Sequence, residues 1–286
     1  MAQAGTAAGG NTGGNADGDS GGSIRRPETE LVETELRDGV ALVALNRPDK
    51  RNAINDAMRE DFNRVLDWIE RDPAVRAVVL TGRGPGFCAG GDISAMRERL
   101  SAPTGRVAVN GWRRQRRTHH LVTAIHNLSV PTIAAVNGPA AGLGCDLALC
   151  CDFVMADPEA TFVMSYVLRG LIPDGGGMYF LPRRVGLARA KELIFSGRMI
   201  GADEALRINM IERIAAPGAL VDDALAMAKE MTAGSADAVA LAKSIMDQSF
   251  EASMEEVFAL GCQAQAICYT TDSHRDAVEA FLSRRK

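Results

Sequence analysis

The feature that most constrains the fold is an alternation of strand-like runs and helix-like segments that begins near residue 24. Val40–Leu45 and residues 77–81 are short, β-rich apolar runs bounded by turn or charged residues, as buried strands are. Between them, apolar residues recur at spacings of three and four from Met58 to Ile69, which predicts a helix capped by Asn55 or Asp56. Two further strands are predicted at Thr132–Val136 and Phe153–Ala156. The chain is therefore expected to form an α/β domain.

The strand pattern disappears after about residue 186, and the rest of the chain is predicted to be helical. Helices are expected at 187–196, 202–208, 221–232, 236–249, 253–268 and 272–283. An apolar stripe at helical spacing favours core packing over a ligand-binding surface, and it comprises Leu220, Ala224, Met227, Ala228 and Met231. We expect exposed apolar faces in the later helices to serve oligomerisation.

Three parts are predicted: a tail at 1–23, a core at 24–220 and a helical oligomerisation region at 221–286. The tail consists almost entirely of small and polar residues, without an aromatic or positively charged side chain, so we expect it to be flexible. It lacks the basic start and apolar segment of a secretory signal and the arginines of a transit peptide. No apolar run approaches the roughly 18 residues of a membrane span. A cytoplasmic location without membrane contact is expected.

Charge and metal-ligating residues exclude two further classes of partner. The formal net charge is −4, which argues against general affinity for nucleic acid. The six cysteines and four histidines show no repeated C-x-x-C pair and no zinc spacing. We therefore predict no metal and buried, reduced thiols, including the adjacent pair Cys150 and Cys151.

Two glycine-rich turns each follow a predicted strand and precede a helix. Residues 81–92 read TGRGPGFCAGGD, and residues 137–146 read NGPAAGLGCD. Neither has the Gly-Lys-Ser/Thr ending of a P-loop or the arrangement of a dinucleotide fingerprint. Turns of this kind present backbone N–H groups at a helix start, where they stabilise negative oxygen. Two ordinary tight turns are the alternative interpretation.

A series of short motifs resembles the enoyl-CoA hydratase/isomerase (crotonase) family from about residue 31 to the C-terminus. The matching segments are 45–54 (LNRPDKRNAI), 78–82 (VVLTG), 87–92 (FCAGGD), 131–138 (PTIAAVNG), 142–146 (GLGCD), 170–177 (GLIPDGGG), 181–186 (LPRRVG) and 196–198 (SGR). The resemblance implies a crotonase-like spiral of repeated ββα units with an α-helical C-terminal region. It also implies a homotrimer or dimer of trimers that binds an acyl-CoA thioester. Coenzyme A is then part of the substrate, and no separate cofactor is expected.

The resemblance also assigns an oxyanion hole, in which two backbone N–H groups hold the thioester oxygen as an enolate forms. The matching positions are Gly91 and Leu143, where leucine replaces a more usual glycine. Fixed donors stabilise the developing charge without reorganising, and each contributes about 3 kcal/mol by analogy with other oxyanion holes.

The expected acids depart from the hydratase pattern. By resemblance, Asp146 and Tyr166 occupy the positions of the two hydratase glutamates, and a neutral phenol is a poor general base at neutral pH. Asp174 stands where hydratases usually place a glycine, which is similar to dienoyl-CoA and 1,2-epoxyphenylacetyl-CoA isomerases. One carboxylate can move a proton between two carbons. The alternatives are a turn or helix-cap role for Asp174 and a structural role for Asp146.

Coenzyme A is expected, again by resemblance, along the backbone of residues 50–54 and 89–93. The substrate-binding candidates are Arg51, Ala53, Ala89, Asp92, Ile93, Gly142 and Tyr166. Arg51 is the natural phosphate partner, because a guanidinium binds phosphate bidentately. The basic run at 113–117 either adds to this attraction or forms a solvated helix face. Phe281 and Arg284 are candidates to reach a neighbouring subunit's coenzyme A.

These observations predict an enzyme that shifts a double bond or rearranges an unsaturated acyl-CoA through a thioester enolate. Asp174 would shuttle the proton, and Asp146 would be an auxiliary acid. One alternative is an enoyl-CoA hydratase that uses Asp146 and Asp174 as its carboxylate pair. The other is a non-catalytic acyl-CoA-binding subunit.

Overall fold

The computed structural model describes residues 24–92, 94, 103 and 105–284. Its strands are β1 (Val32–Arg37), β2 (Val40–Leu45), β3 (Ala77–Gly82), β4 (Thr132–Val136), β5 (Ala140–Ala141), β6 (Phe153–Ala156), β7 (Thr161–Val163), β8 (Met199–Gly201) and β9 (Arg213–Ile214). Its helices are α1 (Asp56–Arg71), α2 (Val107–His126), α3 (Leu143–Leu149), α4 (Gly177–Val185), α5 (Leu187–Ser196), α6 (Ala202–Arg207), α7 (Leu220–Met231), α8 (Ala236–Met246), α9 (Met254–Cys268) and α10 (Asp272–Ser283). The predicted α/β class is confirmed.

The larger sheet has the order β1-β2-β3-β4-β6-β9. Only the β1–β2 pair in it is antiparallel within the described chain. Every residue of β2, β3 and β4 is buried, as expected for parallel strands covered on both faces. Alternate residues point to opposite faces, so Val43 and Leu45 enter one apolar core while Val40 and Leu42 enter another. The site lies where β3 and β4 end.

Helices cover both faces of this sheet. On one face, α1 buries the predicted apolar stripe, and its N-cap is Asn55, whose side chain accepts a 2.8 Å hydrogen bond from the Met58 amide. On the other face, α7 buries Leu220, Ala224, Met227 and Ala228 against strand residues. The prediction that this stripe packs in the core is confirmed for these four residues, whereas Met231 is half-buried.

The last three helices bury none of their residues within the chain. Large apolar side chains on and between them are exposed, and these include Met246, Phe250, Met254, Phe258, Ile267, Phe281 and Leu282. Oligomerisation through this region stays a prediction. Among the described residues, no helix is both long and apolar enough to cross a membrane. The predicted tail at 1–23 lies outside the described residues.

Two expectations require correction. The prediction that no strands follow residue 186 is wrong, because β8 pairs with β7 and β9 pairs with β6. Both strands have at most three residues, which is too short for a periodic pattern, and they form because a partner strand supplies hydrogen bonds. All six thiols are free, but Cys262 is exposed and Cys268 only half-buried. The expected burial therefore holds for four, which are Cys88, Cys145, Cys150 and Cys151.

Candidate active site

The two glycine-rich turns lie side by side. A short bridge joins Cys88 to Ala140, with the Ala141 amide donating to the Cys88 carbonyl at 2.9 Å. On its other side, the first turn bridges to Ile54, whose amide donates to the Gly90 carbonyl at 2.8 Å. The first turn is therefore held between the segment that precedes α1 and the segment that precedes α3.

Gly90 allows the closest approach between these turns. Its φ of +96° favours glycine, and a Cβ there would lie 2.7 Å from the Ala141 carbonyl oxygen and 3.4 Å from the Leu143 nitrogen. The backbone beside Gly91 therefore lies close to the Leu143 amide. Neither the Gly91 nor the Leu143 N–H donates a hydrogen bond to any of the described residues. Both residues line one cavity of about 160 Å³.

The cavity also brings Tyr166, Asp174 and Asp92 together with Gly91 and Leu143. Asp174 lies in the turn before α4, and its side chain is 23% exposed. The N-cap of α4 is Gly176, and no side chain caps this helix, so the helix-cap interpretation of Asp174 is wrong. His119 on α2 places its Nε2 3.7 Å from Asp174 Oδ2. The Asp174 carboxylate thus borders the cavity and has an imidazole neighbour.

Asp146 is fully buried in the first turn of α3. Its Oδ2 accepts a 2.5 Å hydrogen bond from the Tyr166 hydroxyl, while its Oδ1 has no hydrogen-bond partner of normal geometry among the described residues. Burial raises the pKa of Asp146 to about 7; the Tyr166 hydrogen bond lowers it, nearby Asp174 raises it, and the Gly177 amide lowers it. This carboxyl therefore keeps its proton to a higher pH than an ordinary aspartate does.

Tyr166 contacts Asp146 and also lines the cavity that Asp174 borders. Burial, together with the nearby Asp146 carboxyl, raises the pKa of the phenol above its ordinary value. The hydroxyl thus remains protonated and donates to Asp146, an arrangement that is unsuited to a general base. Its ring packs beside Gly142, within 3.7 Å of the position a Cβ would occupy there. Asp146 is consequently held by Tyr166, which itself lines the cavity.

The residues expected to contact coenzyme A lie along one edge of the turns. Arg51 is exposed with a φ of +48°, and its carbonyl accepts a 2.8 Å hydrogen bond from the Ala89 amide. Its guanidinium forms no ion pair with any described residue. Ala53 accepts a hydrogen bond from the Arg47 guanidinium through its carbonyl. Gly142 donates its amide to the Val163 carbonyl at 2.9 Å. Ile93 lies outside the described residues.

Asp92 borders the cavity but is already engaged. Both terminal nitrogens of Arg47 lie 3.1 Å from its Oδ2, and the Ser94 amide donates to its Oδ1 at 2.9 Å. Burial raises the pKa of Asp92, but the bonds from Ser94 and Arg47 outweigh burial and hold it below its usual value. Asp92 is therefore an ionised, paired carboxylate.

Arg59 and Arg114 also line the cavity, although neither was among the site residues predicted from the sequence. The solvated-face interpretation of the basic run is correct for Arg113, Arg116 and Arg117, which are exposed, whereas Arg114 is half-buried. Arg114 precedes buried Thr118 by four residues and buried Leu121 by seven. That spacing places Arg114 on the inward face of a helix, and it is the signal that would have identified this residue.

The two remaining coenzyme A candidates do not line this cavity. Phe281 and Arg284 are exposed at the end of α10. Within the described part of the chain, no group of three or more histidine, cysteine, aspartate or glutamate side chains is placed to hold a metal ion.

Comparison with known proteins identifies the family. A family model described as enoyl-CoA hydratase/isomerase matches residues 35–286. The chain belongs to the enoyl-CoA hydratase/isomerase family. This family member is 35% identical to the short-chain-enoyl-CoA hydratase of Clostridium acetobutylicum over 91% of its own length and 97% of that protein. It is also 35% identical to the 1,2-epoxyphenylacetyl-CoA isomerase of Escherichia coli, over 90% and 97% of the two chains.

Solved structures agree with this assignment. The crystal structure of an enoyl-CoA hydratase/isomerase from Cupriavidus metallidurans superimposes with a TM-score of 0.83 at 34% identity, covering 90% of this chain and 95% of that one. The crotonase-like fold expected from the motifs is therefore confirmed, and this family member is an enzyme of the hydratase/isomerase class.

Proposed function

We propose that the protein shifts the double bond of an unsaturated acyl-CoA, or rearranges such an acyl group, through a thioester enolate. One observation carries this proposal: the Asp174 carboxylate borders the cavity that Gly91 and Leu143 also line, whereas the Asp146 carboxyl is fully buried and bonded to Tyr166. A carboxylate at the cavity, beside two backbone donors that have no partner among the described residues, suits proton transfer between carbons.

In this mechanism, Asp174 removes a proton from the carbon next to the thioester carbonyl. The electron pair of the broken C–H bond moves into the thioester, and its oxygen becomes negatively charged. The Gly91 and Leu143 N–H groups donate to that oxygen, which lowers the barrier by about 3 kcal/mol for each donor. Asp174 then returns the proton to the far end of the conjugated system, so the double bond moves and no atom is gained or lost.

Asp146 takes an auxiliary role in this proposal. Burial and the nearby Asp174 both raise the pKa of Asp146, which favours its protonated form. That form limits the negative charge that Asp146 places next to Asp174. Tyr166 keeps Asp146 in place through its 2.5 Å hydrogen bond.

Hydration of a 2-enoyl-CoA by Asp146 and Asp174 is the second candidate. The name of the Clostridium acetobutylicum relative favours it, as does that of the crotonyl-CoA hydratase of Syntrophomonas wolfei, which is 31% identical. A hydratase of this kind needs both carboxylates at one water molecule. The engagement of Asp146 with Tyr166 weighs against that arrangement.

We also propose how coenzyme A binds and how copies of the chain assemble. Coenzyme A enters with the substrate, lies along residues 50–54 and 89–92 and places a phosphate against Arg51; no other cofactor takes part. The exposed apolar side chains of α8, α9 and α10 meet other copies of the chain in a trimer or a dimer of trimers. The enzyme acts in the cytoplasm.

Product analysis in deuterated water tests the proposed reaction. The wild-type enzyme is incubated with short 2-enoyl-, 3-enoyl- and 3,5-dienoyl-CoA, and products are identified by mass spectrometry. Shifted double bonds without added water support the proposal. A 3-hydroxyacyl-CoA product would establish the hydratase instead, and binding without turnover would favour a non-catalytic acyl-CoA-binding subunit.

A further inference from the structure

Two guanidinium groups form one wall of the candidate active-site cavity. Arg59 comes from α1 and Arg114 from α2, and both line the cavity that contains Asp174. Gln115 and Thr118 continue this wall along α2. The wall is thus polar and cationic, although a simple hydrocarbon acyl chain would be better accommodated by apolar side chains.

Arg59 is the more deeply buried of the two. Only 7% of its side chain is exposed, and it forms an ion pair with Asp56, whose own side chain is 61% exposed. Asp56 also lies 3.5 Å from Arg117, so its charge is shared. The Arg59 Nε is buried and has no hydrogen-bond partner among the described residues. Buried polar groups normally have a partner, so the Asp56 ion pair leaves the Arg59 guanidinium incompletely satisfied.

Arg114 is half-buried, and its guanidinium forms no hydrogen bond or ion pair within the described part of the chain. Burial lowers the pKa of Arg114, and the positive charge of Arg59 lowers it further, which means that the two cations lie close enough to repel each other. Asp174 and Asp56 act in the opposite direction. The cavity's other carboxylate, Asp92, is bound to Arg47. Of the two cations in the wall, Arg59 has an ion-pair partner among the described residues and Arg114 has none.

We propose that this wall, which we call the arginine wall (Arg59 and Arg114), binds a carboxylate at the far end of the acyl chain. The substrate class is then a short unsaturated acyl-CoA with a second, free carboxylate, and not a simple fatty acyl-CoA. The planar fork of a guanidinium matches the two oxygens of a carboxylate. An anion here offsets the repulsion between the two cations and gives the Arg114 guanidinium a partner. The proposal deepens the proposed function and rests on it for the cavity's role as the acyl site.

Binding of two saturated ligands tests the arginine wall without requiring turnover. Glutaryl-CoA and valeryl-CoA have acyl chains of equal length, but glutaryl-CoA ends in a carboxylate and valeryl-CoA in a methyl group. We expect isothermal titration calorimetry to show that glutaryl-CoA binds the wild-type protein about tenfold more tightly or better, as for a hydrogen bond between charged groups.

Variants assign the preference to a residue. Arg114→Gln should reduce the ratio of the two affinities by about tenfold, and Arg114→Lys should reduce it less, because the charge stays while the fork is lost. Arg113→Gln is the matched control: Arg113 is an exposed neighbour that does not line the cavity, so the ratio should not change. Any general effect on coenzyme A binding cancels in the ratio.

The wild-type ratio decides whether the site prefers a carboxylate, and the ratio for Arg114→Gln decides whether Arg114 supplies that preference. Equal binding of the two ligands, or tighter binding of valeryl-CoA, would overturn the arginine wall as a carboxylate site and leave the proposed isomerase function intact. If neither ligand binds, the cavity is not an acyl-CoA site, and both the proposed function and this inference fail. A preference for glutaryl-CoA that survives in Arg114→Gln would remove Arg114 from the site.

Discussion

Asp146 should make the stability of the fold depend on pH, and its replacement by asparagine should remove that dependence. The side chain is fully buried, and its pKa rises from 3.8 to about 7 on folding, chiefly because of burial. The folded chain therefore holds this proton more tightly than the unfolded chain does. The carboxyl's contribution is fully present below about pH 4 and is lost as the pH rises through about 7. A pKa that rises from 3.8 to about 7 corresponds to about 4 kcal/mol of folding free energy.

Urea denaturation between pH 4 and 8, at one protein concentration, measures this effect. We expect the free energy of unfolding of the wild type to fall relative to that of Asp146→Asn by about 1.4 kcal/mol per pH unit between about pH 4 and 7. Above about pH 7 the difference should become level. Asparagine keeps the shape of the side chain and an oxygen that accepts from Tyr166. Asp67→Asn, on the exposed face of α1, is the control, because that carboxyl contacts solvent in both states. A difference that stays level or increases with pH would refute a protonated Asp146 in the folded protein.

Two further substitutions test the backbone of the site. Leu143 is the first residue of α3, where proline is tolerated, so Leu143→Pro should remove the N–H donor and lower kcat by about 10²- to 10³-fold; Leu143→Ala keeps the donor, and an equal loss in both variants would show that the leucine side chain matters instead. Gly90→Ala should unfold at a lower temperature and lose activity, because φ is +96° and the new methyl would lie 2.7 Å from the Ala141 carbonyl oxygen; wild-type melting and activity would contradict the close approach of the two turns.

Local sequence patterns predict the centre of the fold well. The strands Val40–Leu45, Thr132–Val136 and Phe153–Ala156 have the predicted bounds, because each is an apolar run that both faces of the sheet bury. Strands β8 and β9 were missed for the opposite reason: they have two or three residues, and partners distant in the chain stabilise them. Short pairings of this kind leave no periodic signal in the sequence.

The candidate site could likewise be predicted only in part from the sequence. The family motifs place Asp146, Tyr166 and Asp174 together, but they do not indicate that Tyr166 donates to Asp146 or that only Asp174 of the two carboxyls borders the cavity. Those facts depend on packing between segments about 20 residues apart. Arg59 and Arg114 were not predicted as site residues because each is one of several charged residues on its helix, and Arg114 is one of four arginines at 113–117. Their significance arises only when α1 and α2 are placed side by side.

The most direct test of the central claim compares two variants in the same isomerisation assay. The rate of double-bond migration is measured for Asp174→Asn and for Asp146→Asn at neutral pH. Because Asp174 is proposed to carry the proton, Asp174→Asn should lose about 10²- to 10⁴-fold in kcat, while Asp146→Asn should stay within about tenfold of the wild type. A reversed result, with Asp174→Asn active and Asp146→Asn inactive, would contradict the account.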